Sequence, residues 1–136
     1  MIEALREGER LFRQRRFAEA LGAFTRADSL DPGEAGTMAL GRDARVGQAK
    51  CLCELGRPLE ALRQLGASDR HTRDHHRYWY WRGRALAAAG EREEAARALE
   101  RAISAARRLG DARAADRASA ARDALAAERS IPAAGH

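Results

Sequence analysis

Three of the four histidines, His71, His75 and His76, fall within six residues of one another. On a helix, His71 and His75 stand one turn apart, a spacing at which two imidazoles share a metal ion. Only Asp69 and Asp74 lie near enough in sequence to help, so no acid-rich set completes a ligand shell. The stretch reads instead as a polar loop or helix start. Cys51 and Cys53 are the only cysteines. Within a helix, residues two apart point about 200° away from each other, so this pair neither closes a disulfide nor chelates one ion. Glu93 and Glu94 open a helical pattern, where negative charge complements the helix dipole. Thr25, Ser104 and Ser119 have no base at a recognisable spacing, and Gly33, Gly36 and Gly41 fit neither nucleotide-binding fingerprint. No catalytic residue, cofactor site or metal site is expected, and the chain is not expected to be an enzyme.

The stretch from Arg77 to Arg84, RYWYWRGR, is chemically the most distinctive. Four aromatics in a row on a helix cannot share one face. Arg77 and Arg84 stand three residues before and four after Tyr80, on its side of the helix. That combination suits binding of an acidic or terminal carboxylate beside an aromatic surface.

The elements that hold these residues follow from composition. Of 136 residues, 45% are hydrophobic but only 5% aromatic, so the core is built mainly from Ala and Leu. Ala, Leu, Arg and Glu are all strong helix formers, and no alternating β-branched run is present. An all-α chain is expected. The formal charge is +5, and Lys50 is the sole lysine. This balance favours acidic partners in general, while interspersed acidic residues and the lack of a nucleic-acid motif disfavour DNA or RNA. No run is long enough for a membrane span. The charges through MIEALREGERLF predict no secretory segment, and two cysteines predict no disulfide framework. A cytoplasmic setting is expected.

Apolar spacing and breakers divide the chain into about seven helices. The first covers 1–15, with Glu9 and Arg13 spaced as an i,i+4 pair. The second, 17–30, stops at Leu30-Asp31-Pro32-Gly33. The third ends at Leu55 before Gly56, and 33–42 reads equally as loop or weak helix. The fourth is 58–65, with Pro58 in its first turn. The remaining three cover 74–89, 92–109 and 111–128, and 130–136 reads as a flexible tail.

Ala20, Ala61 and Ala95 occupy matching places in the second helix of three successive pairs, 41 and 34 residues apart. Thirty-four residues is the period of a tetratricopeptide repeat (TPR), and seven more is nearly two helical turns. The first repeat carries Gly8, Leu11, Phe17, Ala20, Phe24, Ala27 and Pro32. The third carries Trp79, Gly83, Leu86, Ala95, Leu99 and Ala102. The middle one has Ala49, Leu52, Ala61 and Leu65, with Pro58 in place of an aromatic. On these residues the chain resembles the TPR family. The resemblance implies antiparallel helix pairs stacked as a right-handed α-solenoid, with one domain over 1–129. Its repeats would span about 1–34, 35–68 and 74–108, and a capping helix 111–128 would turn Ala114, Ala118, Ala121 and Leu125 inward and Arg113, Asp116, Arg117 and Arg122 to water.

By the same resemblance, Trp79 packs inside its repeat and Tyr80 faces a concave groove; the plainer alternative is that Tyr78 and Trp81 pack against the neighbouring repeat and the arginines are solvated. That groove would present Leu5, Glu9, Phe12 and Arg13, then Lys50, Cys53 and Glu54, then Arg77, Tyr80 and Arg84. The chain has no asparagine, so the Asn–Lys carboxylate clamp of some family members is absent. The implied function is a protein-interaction scaffold that takes a partner peptide or helix, with acidic groups met by Lys50 and Arg84. Two alternatives are a self-associating homo-oligomer and an arginine-mediated nucleic-acid binder.

Overall fold

The computed structural model describes residues 1–31 and 38–130. Among these there are eight helices and no strand: α1 (Ile2–Arg13), α2 (Phe17–Ser29), α3 (Met38–Glu54), α4 (Pro58–Gly66), α5 (Arg70–Arg73), α6 (His76–Ala88), α7 (Arg92–Leu109) and α8 (Ala112–Ser130). Each long helix packs on its sequence neighbours, giving the hairpins α1/α2, α3/α4 and α6/α7, with α8 laid on α7. The result is a short α-solenoid. None of the described helices is long and apolar enough to cross a membrane.

Three hairpin turns repeat one hydrogen-bonding scheme. The amides of Arg16, Arg57 and Glu91 donate to the carbonyls of Leu11, Leu52 and Leu86, each at 2.9 Å. This closes the helix C-terminus only if the preceding residue is left-handed. Gly56 (φ 74°) and Gly90 (φ 86°) meet that demand without a Cβ penalty, whereas Arg15 (φ 62°) takes the same conformation in the first turn. Gly110 (φ 79°) ends α7 in the same way, with the Asp111 amide on the Ala106 carbonyl.

Packing within each hairpin is set by a small residue facing a large one sixteen positions later. A Cβ on Gly8 would lie 2.9 Å from the Phe24 ring, and one on Gly83 would lie 2.7 Å from Leu99 Cγ. In the middle repeat Ala49 and Leu65, both fully buried, fill these places. Phe24 also meets α3, where a Cβ on Gly47 would approach its ring to 2.4 Å. Ala20, Ala61 and Ala95 are all at 0% exposure, which is why none of them is larger. The pairs then bury a continuous apolar seam that no single pair closes alone. Gln48 is the polar element of that seam: it accepts from Gln64 at 2.6 Å and Thr25 at 3.4 Å, and donates to the Ala44 carbonyl.

Several expectations are corrected. There are eight described helices rather than about seven, because the Asp69 carboxylate accepts from the Thr72 amide at 2.8 Å and caps the one-turn helix α5. His75 then caps α6 by accepting from the Arg77 amide at 3.1 Å, so that helix begins at His76 rather than at residue 74. Helix α3 starts at Met38, so residues 38–42 are helical. Aligned on Gly8 and Ala49, α3 begins five residues earlier than α1 does, so part of the longer first interval is additional helix. The readings of Pro32, of 33–37 and of the tail from 131 lie outside the described residues.

Candidate functional site

Helices α1, α3, α6 and α8 together line one face of the solenoid, and two recesses open there. The first, about 400 Å³, lies between α1, α3 and α6. Lys50 reaches across it and donates to both Glu9 carboxylate oxygens, at 2.9 and 3.0 Å. The Lys50 ammonium also sits 4.3 Å from the centre of the Phe12 ring, and Trp81 meets Phe12 edge-on at 6.2 Å. At the rim Arg77 donates to Asp43 at 3.4 Å.

The second recess, about 600 Å³, is walled by α6 on one side and α8 on the other. Arg84 donates to the Tyr80 hydroxyl at 2.8 Å, stands 3.7 Å from a Glu54 oxygen and lies over the Trp81 ring. Arg117 from α8 covers the Tyr80 ring at 4.9 Å and borders both recesses. Cys53 lies in the wall; burial pushes its thiol up to about 11, with Arg84 pulling the other way. Burial pushes the Cys51 thiol up further, to about 12. Neither sulfur is a nucleophile at neutral pH.

Of the residues expected in the groove, Glu9, Phe12, Lys50, Cys53, Arg77, Tyr80 and Arg84 border these two recesses, and Glu54 pairs with Arg84 beside them. Arg13 is exposed at the end of α1. Leu5 is corrected: at 7% exposure it packs in the core with Leu11 and Phe24. Tyr80 edges the second recess but is only 8% exposed, because Arg84 and Arg117 cover it. The Glu9–Arg13 pair along α1 gives way to Glu9–Lys50 across helices. Arg117 is exposed, as expected, and also borders the groove from α8.

Charge is therefore matched within the groove. Lys50, Arg77 and Arg84, the cations expected to grip an acidic guest, each face a carboxylate of the chain itself: Glu9, Asp43 and Glu54. Arg117 has no ion pair among the described residues.

The histidines form a separate cluster at the start of α6. The rings of His75 and His76 stack at 4.2 Å, and His71 Nε2 lies 3.2 Å from an Arg42 nitrogen. Burial, with Arg42 next in weight, depresses His75 to about 4. His76 is lowered by burial and partly held up by Asp111 at 3.7 Å. Among the described residues no three His, Cys, Asp or Glu side chains are placed to hold a metal ion.

The repeated turn, the facing pairs sixteen apart and the ladder of buried alanines define a TPR fold, capped by α8. The solved structure of the first TPR domain of the human RPAP3 protein, determined by NMR, is similar: the TM-score is 0.70 at 21% identity over 96% of each chain. No family model matches the sequence, and no curated protein sequence matches it.

Proposed function

We propose that this chain is a protein-interaction scaffold that seats a partner segment along the face lined by α1, α3, α6 and α8. The observation that carries the reading is the pair of adjoining recesses with Phe12 and Trp81 at one end, Tyr80 at the other, and Arg117 between. Aromatic and arginine side chains held in place by packing lose little entropy when a guest docks, which concentrates binding energy on few residues. Because Lys50, Arg77 and Arg84 are already paired and, among the described residues, only Arg117 of the recesses is not, the guest that fits is amphipathic: apolar groups enter the recesses, and polar groups exchange with the rim pairs. Fully acidic guests gain less there than the net charge of the chain suggests. No chemistry is assigned to the site, and a reducing, cytoplasmic setting accords with two free, buried or half-buried thiols.

Photocrosslinking in the source cell tests this. Benzoylphenylalanine replacing Arg77 or Arg117, both exposed at the recesses, should capture one and the same partner. The same group replacing Arg63, exposed on α4, should not. Capture from Arg63 alone, or none from the groove positions, removes the proposal.

A further inference from the structure

The opposite side of the third repeat carries a recess that the groove does not explain. It opens between α4, α6 and α7, encloses about 740 Å³, and has Trp79, Leu86 and Ala98 at its base. A second hollow of about 860 Å³ continues from it along α7 to Arg108. The first contains five arginines against two carboxylates. Trp79 is only partly buried although it packs on two core clusters, so its exposed edge belongs to this cleft.

Unlike Lys50, Arg77 and Arg84 of the groove, most arginines here face no carboxylate among the described residues; Arg70, 4.0 Å from Asp74, is the exception. Arg73, Arg97 and Arg108 have no ion pair among the described residues, and Arg101 lies over the Trp79 ring at 4.7 Å without a carboxylate. Arg82 makes only a long bond to the Tyr78 hydroxyl, 3.5 Å. Guanidinium groups gathered around an apolar floor are positioned to take carboxylates by paired N–H donation.

We propose that this cleft is a second docking site, for an extended segment of another protein with Asp or Glu at alternate positions. Arg97 and Arg101 are one helical turn apart, and Arg97 to Arg108 covers roughly 16 Å of helix. An extended chain places alternate side chains on one face about 6.6 Å apart, so two successive acidic residues match Arg97 and Arg101, about 6 Å apart along α7. The Trp79 edge then covers the stem of an acidic side chain. Single-stranded nucleic acid fits less well. Its bases need an open ring face, whereas Arg101 covers one face of Trp79 and Tyr78 abuts the ring at 4.9 Å. The site is independent of the groove and does not rest on the function proposed for it.

The chain has two tryptophans, so Trp81→Phe leaves Trp79 as the single reporter. A ten-residue peptide alternating Glu and Ser should change its fluorescence saturably, with binding that weakens as salt rises. The matching Gln/Ser peptide should be at least about tenfold weaker, as should the acidic peptide against Arg97→Gln/Arg101→Gln. Arg117→Gln, in the groove, should bind as the parent does. Calorimetry on the unmodified chain reads the same affinities if Trp81→Phe fails to fold. The proposal is overturned by equal binding of the Gln peptide, by an unchanged affinity in the double variant, or by no binding at low salt. It is overturned equally if oligothymidine binds more tightly than the acidic peptide and loses that binding in the double variant.

Discussion

Replacing Gly83 by alanine tests the packing rule on which the repeat rests. In isolation the change favours a helix by about 1 kcal/mol, because alanine is the better helix former. In α6 the new Cβ would lie 2.7 Å from Leu99 Cγ, 2.8 Å from its Cδ2 and 3.4 Å from the Ala95 carbonyl oxygen. Leu99 is 1% exposed, so its side chain must shift for the new methyl to fit. Overfilling a close-packed site costs about 1–3 kcal/mol, so overpacking cancels the propensity gain or exceeds it, by up to about 2 kcal/mol. The middle hairpin accommodates Ala49 against Leu65, which places the value toward the lower end. For a chain of this size that is a melting temperature lower by up to roughly 6 °C. Gly22→Ala is the control: its Cβ would meet only an Arg26 nitrogen at 3.9 Å, so the full propensity gain of about 1 kcal/mol is kept. Leu99→Ala alone should cost about 2–5 kcal/mol through the cavity it leaves. Combined with Gly83→Ala, the added methyl enters that cavity, and the two changes should be non-additive by about 1–3 kcal/mol in the favourable direction. Urea unfolding followed by far-ultraviolet circular dichroism reads all four variants. If Gly83→Ala stabilises as Gly22→Ala does, or the pair is additive, the close approach of α6 to α7 is not what selects glycine.

Acidification should destabilise the fold before the carboxylates protonate. Unfolded His75 binds a proton near its ordinary 6.5, whereas the folded ring resists until about 4. Its stabilising contribution is therefore complete above pH 6.5 and is lost as pH falls through that window. His75→Asn, which still accepts from the Arg77 amide, should flatten melting temperature against pH between 6.5 and 4 and leave the neutral value close to the parent's. Glu9→Ala leaves the largely buried Lys50 ammonium without its partner and should cost about 1–3 kcal/mol in urea unfolding. Glu9→Gln should cost less, since it keeps an acceptor. Both thiols, held up at about 12 and 11, should react with Ellman's reagent at pH 8 far more slowly in native protein than in urea. Fast native labelling at Cys53 would show that the α6–α8 recess opens in solution.

The repeat was legible because each of its signals is a local steric demand. A residue whose Cβ would strike Phe24 or Leu99 is glycine, a fully buried place against a neighbouring helix takes alanine, and a left-handed turn selects Gly56, Gly90 and Gly110. Such requirements appear as residue types at fixed spacing, so Gly8, Ala20, Ala61, Gly83 and Ala95 could be aligned with no coordinates. The groove was legible in part for the same reason, since facing on a helix follows from register. Register assigns a face but not what covers it: Leu5 shares the face of Glu9 and Phe12, yet it packs in the core with Leu11 and Phe24. Register also fails for one-turn helices such as α5, whose formation turns on a single capping bond from Asp69.

Charge pairing follows a different rule. Arg13 is the nearest helical partner of Glu9 along the chain, yet Glu9 bonds Lys50, 41 residues away. Arg77 finds Asp43 across 34 residues. Long side chains choose partners by distance in space, and that distance exists only once the hairpins have stacked. The same stacking carries Arg117 to Tyr80 and gathers arginines of α5, α6 and α7 around Trp79, of which, among the described residues, only Arg70 meets a carboxylate. Small-residue packing can therefore be read along the chain, because backbone approach leaves no freedom in residue type. Which cations stay unneutralised, and on which side of the molecule, depends on how three hairpins settle against one another.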